Sequence, residues 1–227
     1  MINYLYKLFK RPYILLPAIG LLAYLPLFWA HYQQDEWLLF SSYKLMEQRS
    51  LFENVLAFLS PQPGQYVPLT QILTYLSYSV FGSSYTPFFI IGLLLHFITG
   101  LLLYKLIKQL TRDDEVSVLA ALLFVVAPHH FQATAWVVAN IGYTLAAILL
   151  LLALRFFFKW LDSPNWKNGV IALVCLLASL LFKEITLYVL VFLPLITLIW
   201  GKKLDKVIYS ALIAAPGLVF IGWNFSY

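Results

Sequence analysis

Three pairs of neighbouring side chains in this sequence have types suited to chemistry: Asp35–Glu36, His129–His130 and Lys183–Glu184. Asp35 and Glu36 stand in Gln33-Gln34-Asp35-Glu36-Trp37. A carboxylate beside aromatics at a membrane surface can act as a general base on a hydroxyl or amide. The same residues also suit a structural role, with Asp35 capping a helix that begins near Glu36; the two roles are compatible. His129 and His130 follow Pro128, with Gln132 two residues on. Adjacent histidines point different ways on a helix, so they do not suit one metal together. One of them could ligate a metal with a nearby carboxylate, donate a hydrogen bond to a phosphate or sugar, or simply sit at an interface. Lys183, between the apolar runs before Phe182 and after Ile185, can neutralise a lipid phosphate as a point charge. It equally suits a charged turn that holds two spans apart.

The elements that must position these residues are membrane helices. Of the 227 residues, 62% are apolar and only 11% are charged, against about 25% charged in a soluble domain. That composition excludes a soluble fold and disorder. Cys175 is the sole cysteine, which excludes an intramolecular disulfide and a cysteine metal cluster. A spanning helix needs roughly 20 mostly apolar residues. Seven candidate runs occur: Tyr13–Trp29, Pro87–Leu106, Val116–Ala127, Ala133–Phe157, Gly169–Phe182, Ile185–Trp200 and Val207–Phe225. They lack strict alternation, which favours helices over a barrel. The fold expected is an all-α polytopic bundle of about seven spans, a single module over residues 1–227. His96, inside the second run, reads as a packed histidine with a hydrogen bond in the bundle.

Charge placement orients the bundle. Alternating sides through seven spans puts 12 of the 15 basic residues on one side and only Lys44, Arg49 and Lys183 on the other. By the positive-inside rule the N-terminus is cytoplasmic. The loop over residues 31–86, the Pro128 turn and the Lys183–Glu184 turn then face outward. With them go His31, the Gln65–Thr70 stretch, His129, His130, Gln132 and Asn140, just inside the fourth span. Ionisable groups near membrane depth are functional candidates by default. The long loop carries helical spacing at Leu69, Ile72, Leu73, Leu76 and Val80, an apolar-rich stretch from Trp37 to Met46, and a loop at Pro61, Pro63 and Gly64. Such helices would lie along the interface.

Four ordered fragments resemble the N-terminal half of GT-C glycosyltransferases, more narrowly the bacterial and archaeal relatives of protein O-mannosyltransferases. They are Asp35-Glu36; Tyr66-Val67-Pro68-Leu69-Thr70 running through Phe81-Gly82 to Leu95-His96-Phe97; Pro128-His129-His130-Phe131-Gln132-Ala133-Thr134-Ala135-Trp136; and Phe182-Lys183-Glu184. The resemblance covers about residues 13–200. It implies sugar transfer from a polyprenyl-phosphate donor to a protein, lipid or glycan acceptor at the extracytoplasmic face of a bacterial or archaeal plasma membrane. It implies Asp35, with Glu36, at the acceptor, and His130, Lys183 and Glu184 near the donor phosphate. Tyr66, His129, Gln132 and Asn140 are further candidates. No cofactor is called for with certainty; a divalent metal is compatible but not indicated. The absence of a glycine-rich nucleotide loop fits a lipid-linked donor, and the bilayer, not nucleic acid, is the expected surroundings.

Three positions depart from the family pattern: Val67 where Arg is usual, Gln132 where Glu is usual, and Asn140 in the region of an Arg. The departures and the short chain, which ends just after an apolar run, set up the alternative of a non-catalytic scaffold or lipid-phosphate-binding accessory protein. They also fit a fragment of a longer frame. A small transporter ranks lower, because mid-span polar candidates reduce to His96 and Asn140.

Overall fold

The computed structural model describes residues 11–32, 34–60, 65–128 and 131–199, and a few more between 206 and 215. Among the described residues the regular structure is helical throughout. Three stretches are long and apolar enough to cross a membrane: Pro12–Trp29, Tyr85–Thr111 and Val137–Asp162. The protein is therefore an integral membrane protein. Trp166–Phe182 and Thr186–Ile199 are shorter apolar helices. Asp114–Val126 has 13 residues and rises about 20 Å, less than a hydrocarbon core of about 30 Å. The seventh expected run lies outside the described residues, apart from helical residues at 207, 208, 210, 211 and 215, as does the loop at Pro61, Pro63 and Gly64.

The chain divides into two compact units. One comprises Met1–Gln48 and Leu73–Thr144; the other comprises Arg49–Ile72 and Leu145–Tyr227.

In the first unit, helix α1 (Pro12–Tyr24) passes into a 3-10 turn, Leu25–Trp29. Pro26 lacks the N–H that would continue the α-helical ladder, which accounts for the change. Helix α2 (Gln34–Met46) follows. Its buried residues Glu36, Phe40 and Tyr43 lie four and three apart, on one face. Trp37, Leu38 and Leu45 are exposed. The helix starts at Gln34, so Asp35 lies in its first turn and not at the cap expected from the sequence.

Helices α3 (Leu51–Leu59) and α4 (Pro68–Phe81) occupy the rest of the long loop. Helix α4 bears out the helical spacing of Leu69, Ile72, Leu73, Leu76 and Val80; Thr74 and Tyr75 are its buried residues in mid-helix, while Val80 is 73% exposed. Helices α5 (Tyr85–Thr111) and α6 (Asp114–Val126) pack against α1. Their core joins Leu16, Phe89, Leu93, Phe97, Val118, Ala121 and Val125. Gly20 makes the approach possible, since a Cβ there would lie 2.5 Å from Phe97 and 2.6 Å from Val125.

The end of α6 leaves carbonyls that lipid cannot satisfy. His96 Nε2 lies 3.0 Å from the Val125 carbonyl, and Tyr24 donates to the Ala127 carbonyl at 3.5 Å. His96 is thus the packed, bonded residue that its position predicts, stacked on Phe124.

The fourth expected run, Ala133–Phe157, is not one helix. It breaks at Trp136 into α7 (Phe131–Ala135) and α8 (Val137–Asp162). In the second unit, the later part of α8 packs with α9 (Trp166–Phe182), where Ser179 donates to the Ala146 carbonyl at 2.9 Å. The sixth expected run also divides. A 3-10 turn over Glu184–Tyr188 precedes α10 (Val189–Ile199).

Candidate functional site

The sequence-derived residues fall into two groups, one in each unit. In the first unit, Glu36 is 1% exposed and its Oε1 accepts from the Val137 N–H at 3.1 Å. In an unbroken helix that N–H would bond to the Ala133 carbonyl. Here it is the first N–H of α8, and a carboxylate is the partner that the positive end of a helix favours. The Trp136 carbonyl starts the new ladder by accepting from the N–H groups of Ala139 and Asn140 at 3.0 and 2.8 Å.

Asn140 is fully buried. Its Nδ2 donates to the Phe88 carbonyl at 3.0 Å and to the Thr134 carbonyl at 3.4 Å, which ties α5, α7 and α8 together. Gly92 of α5 leaves the space for this: a Cβ there would collide with the Thr134 carbonyl oxygen and lie 2.8 Å from Asn140 Nδ2. Asn140 is therefore occupied with backbone carbonyls, where the resemblance placed it in the region of a cation.

Asp35, one residue from Glu36, is exposed. Consecutive helical residues differ by about 100° around the axis, so the two carboxylates cannot share an orientation. Tyr32 packs its ring against Trp37, Phe40 and Tyr85 at centroid distances of 5.5, 5.0 and 5.4 Å. Burial, then the negative charge of Glu36, then Tyr85 push its phenol above the ordinary range, so it stays a neutral O–H. The Tyr32 hydroxyl and the Trp136 indole nitrogen are buried polar atoms with no hydrogen-bond partner among the described residues. Trp136 closes the third fragment of the resemblance, whereas Tyr32 carries no distinguishing mark in the sequence. His129 and His130 lie outside the described residues, and the backbone of Gln132 belongs to α7.

In the second unit, α9 ends at Phe182 and Lys183 is extended. Lys183 is largely buried; its Nζ donates to Gln65 Oε1 at 3.0 Å and lies 3.2 Å from Glu184 Oε1. Thr70 Oγ1 donates to the Phe182 carbonyl at 2.5 Å, taking up an end carbonyl of α9. Thr186 donates to the Lys183 carbonyl at 3.1 Å. The Gln65–Thr70 stretch and the Lys183–Glu184 turn, separate features in the sequence, are thus one hydrogen-bonded group. Tyr66 donates to the Leu59 carbonyl at 3.0 Å, at the end of α3, while Val67 is buried. Helix α3 itself is started by a capping box: the Ser50 side chain accepts from the Glu53 N–H, and the Glu53 carboxylate accepts from the Ser50 N–H at 2.8 Å.

Among the described residues no three His, Cys, Asp or Glu side chains gather closely enough to hold a metal. In each unit a polar side chain is buried and bonded next to a helix end: Glu36 at the start of α8 in the first, and Lys183 after α9 in the second. Residues 62–224 match the family described as dolichyl-phosphate-mannose-protein mannosyltransferase. The match takes in more than two thirds of the chain, and the chain belongs to this family of GT-C type membrane glycosyltransferases. No curated protein and no solved structure matches it. Asp35 and Glu36 precede the matched segment, but Glu36 is bonded to Val137 within it.

Proposed function

We propose that the protein transfers a sugar, mannose by its family, from a polyprenyl-phosphate donor to an acceptor hydroxyl or amide at the extracytoplasmic face. The N-terminus is then cytoplasmic, and the whole chain acts as one module of about seven spans. Asp35 is the base. It takes the proton as the acceptor attacks the anomeric carbon, the bond from that carbon to the phosphate oxygen breaks, and the electron pair leaves with polyprenyl phosphate. Lys183, with His130, offsets the charge on that phosphate. Glu184 holds Lys183 when no donor is present. The observation that carries the reading is the pairing of the Lys183 ammonium with the side chains of Gln65 and Glu184. Such partners can exchange for a phosphate oxygen without unmaking a helix.

The test places the chain in lipid vesicles with polyprenyl-phosphate-mannose and a membrane extract as acceptor source, and follows release of polyprenyl phosphate. Release that depends on the acceptor supports transfer. A second reading, a non-catalytic relative that only binds lipid phosphate, is favoured by Asn140, which by the resemblance stands in the region of a family cation and donates to two backbone carbonyls. Retention of polyprenyl phosphate on the protein with no turnover would establish that reading instead.

A further inference from the structure

We infer that Glu36 is a positioning residue, whose buried carboxylate holds the helix break at Trp136–Val137 and thereby fixes the first turn of α2 that presents Asp35. The inference rests on Asp35 being the base. Sequence reasoning puts both carboxylates at the chemistry; the geometry separates them. Glu36 belongs to the buried face of α2 with Phe40 and Tyr43. Its carboxylate reaches across 101 positions to the N–H of Val137, at the start of a 26-residue helix. The bond joins two elements that share no local sequence. Without it, Val137 N–H would return to the Ala133 carbonyl and α7 could run on into α8. The Thr134 carbonyl, which Asn140 now holds, lies in that same turn. Glu36 is consequently a tie between α2 and the α7–α8 junction. Asp35 stands exposed beside it, with its backbone set by the tie.

The geometry asks for an acceptor oxygen at position 36, which glutamine also supplies, whereas a base must take up a proton, which glutamine cannot. The experiment therefore compares Glu36→Gln, Glu36→Ala and Asp35→Asn in full-length protein. Two readouts are used: polyprenyl phosphate release from polyprenyl-phosphate-mannose in vesicles, and backbone hydrogen exchange in a peptide covering residues 134–140. Glu36→Gln should lose no more than about threefold in kcat and keep the pH profile of the wild type. Glu36→Ala should lose at least tenfold in kcat with KM changed by less than about threefold, and should exchange at least tenfold faster at 134–140. Asp35→Asn should lose activity at least a hundredfold with exchange unchanged. If Glu36→Ala does not reach the membrane, Glu36→Gln decides alone, by both readouts. The inference is overturned if Glu36→Gln is as inactive as Asp35→Asn, or if the exchange at 134–140 is the same in Glu36→Ala as in wild type. Were the wild type to show no turnover, the transferase reading would fail while the exchange measurement still judged the tie.

Discussion

The carboxylate group of the first unit and the lysine group of the second are held by different means. Glu36 is answered by a backbone N–H at a helix start, and Asn140 beside that junction by two backbone carbonyls. Lys183 is answered by the side chains of Gln65 and Glu184. Backbone partners come with the secondary structure and cannot leave without changing it. Side-chain partners can rotate away and be replaced. Under the proposed function, the first group would stay in place and the second would exchange, as a fixed base and an arriving phosphate require.

The comparison breaks most visibly at Gly92. Gly92→Leu should prevent the close approach of α5 to Thr134 and Asn140, and the expected outcome is loss of folded protein in detergent, with overpacking of about 3 kcal/mol or more. A stable Gly92→Leu protein with unchanged melting would show that the junction is not rigid. The next effect lies at the exchangeable group. Lys183→Ala should raise KM for polyprenyl-phosphate-mannose about tenfold or more, since bonds to charged groups are worth about 1.5–3 kcal/mol, with the melting temperature little changed. If the melting temperature falls and KM does not move, Lys183 is a structural tie like Glu36.

A smaller effect is expected where the second unit uses a cap. Ser50→Ala removes the side-chain acceptor of the Glu53 N–H and the hydroxyl that donates to the Glu53 carboxylate, leaving the backbone bond from the residue 50 N–H, and should destabilise the helix by about 1 kcal/mol, read from thermal melting. The smallest is a pH dependence at the same place. The Ser50 backbone N–H, then its hydroxyl, then Arg49 lower the pKa of Glu53. A carboxyl whose folded pKa is depressed contributes stability above its unfolded pKa and loses it as pH falls through the folded value. The contribution of Glu53 is thus intact at neutral pH and declines on acidification below the usual carboxylate range. Glu53→Gln should flatten that acid limb of the melting curve.

Much of this architecture could be read from the residues. The apolar runs marked the helices, and Pro128 marked the end of α6. The capping box Ser50-Leu51-Phe52-Glu53 was equally readable, although α3 was not expected; its pattern stands in a loop already interrupted by prolines. The register of Glu36 with Phe40 and Tyr43 could have told the buried carboxylate from the exposed one. The break at Trp136 could not have been read, because no proline or glycine stands there and the bond that sustains it comes from Glu36. The pairing of Lys183 with Gln65 is hidden for the same reason, with 118 positions between them. Local pattern specifies helices. The interruptions at Trp136 and Lys183 are bonded to distant partners, and the proposed chemistry depends on them.

The most direct test of the central claim is the rate of polyprenyl phosphate release from polyprenyl-phosphate-mannose by Asp35→Asn against wild type, in the same vesicles and with the same acceptor extract. The account predicts acceptor-dependent release by the wild type and a loss of at least about a hundredfold in Asp35→Asn, because general-base assistance supplies factors of that size. Equal rates for the two proteins would contradict it.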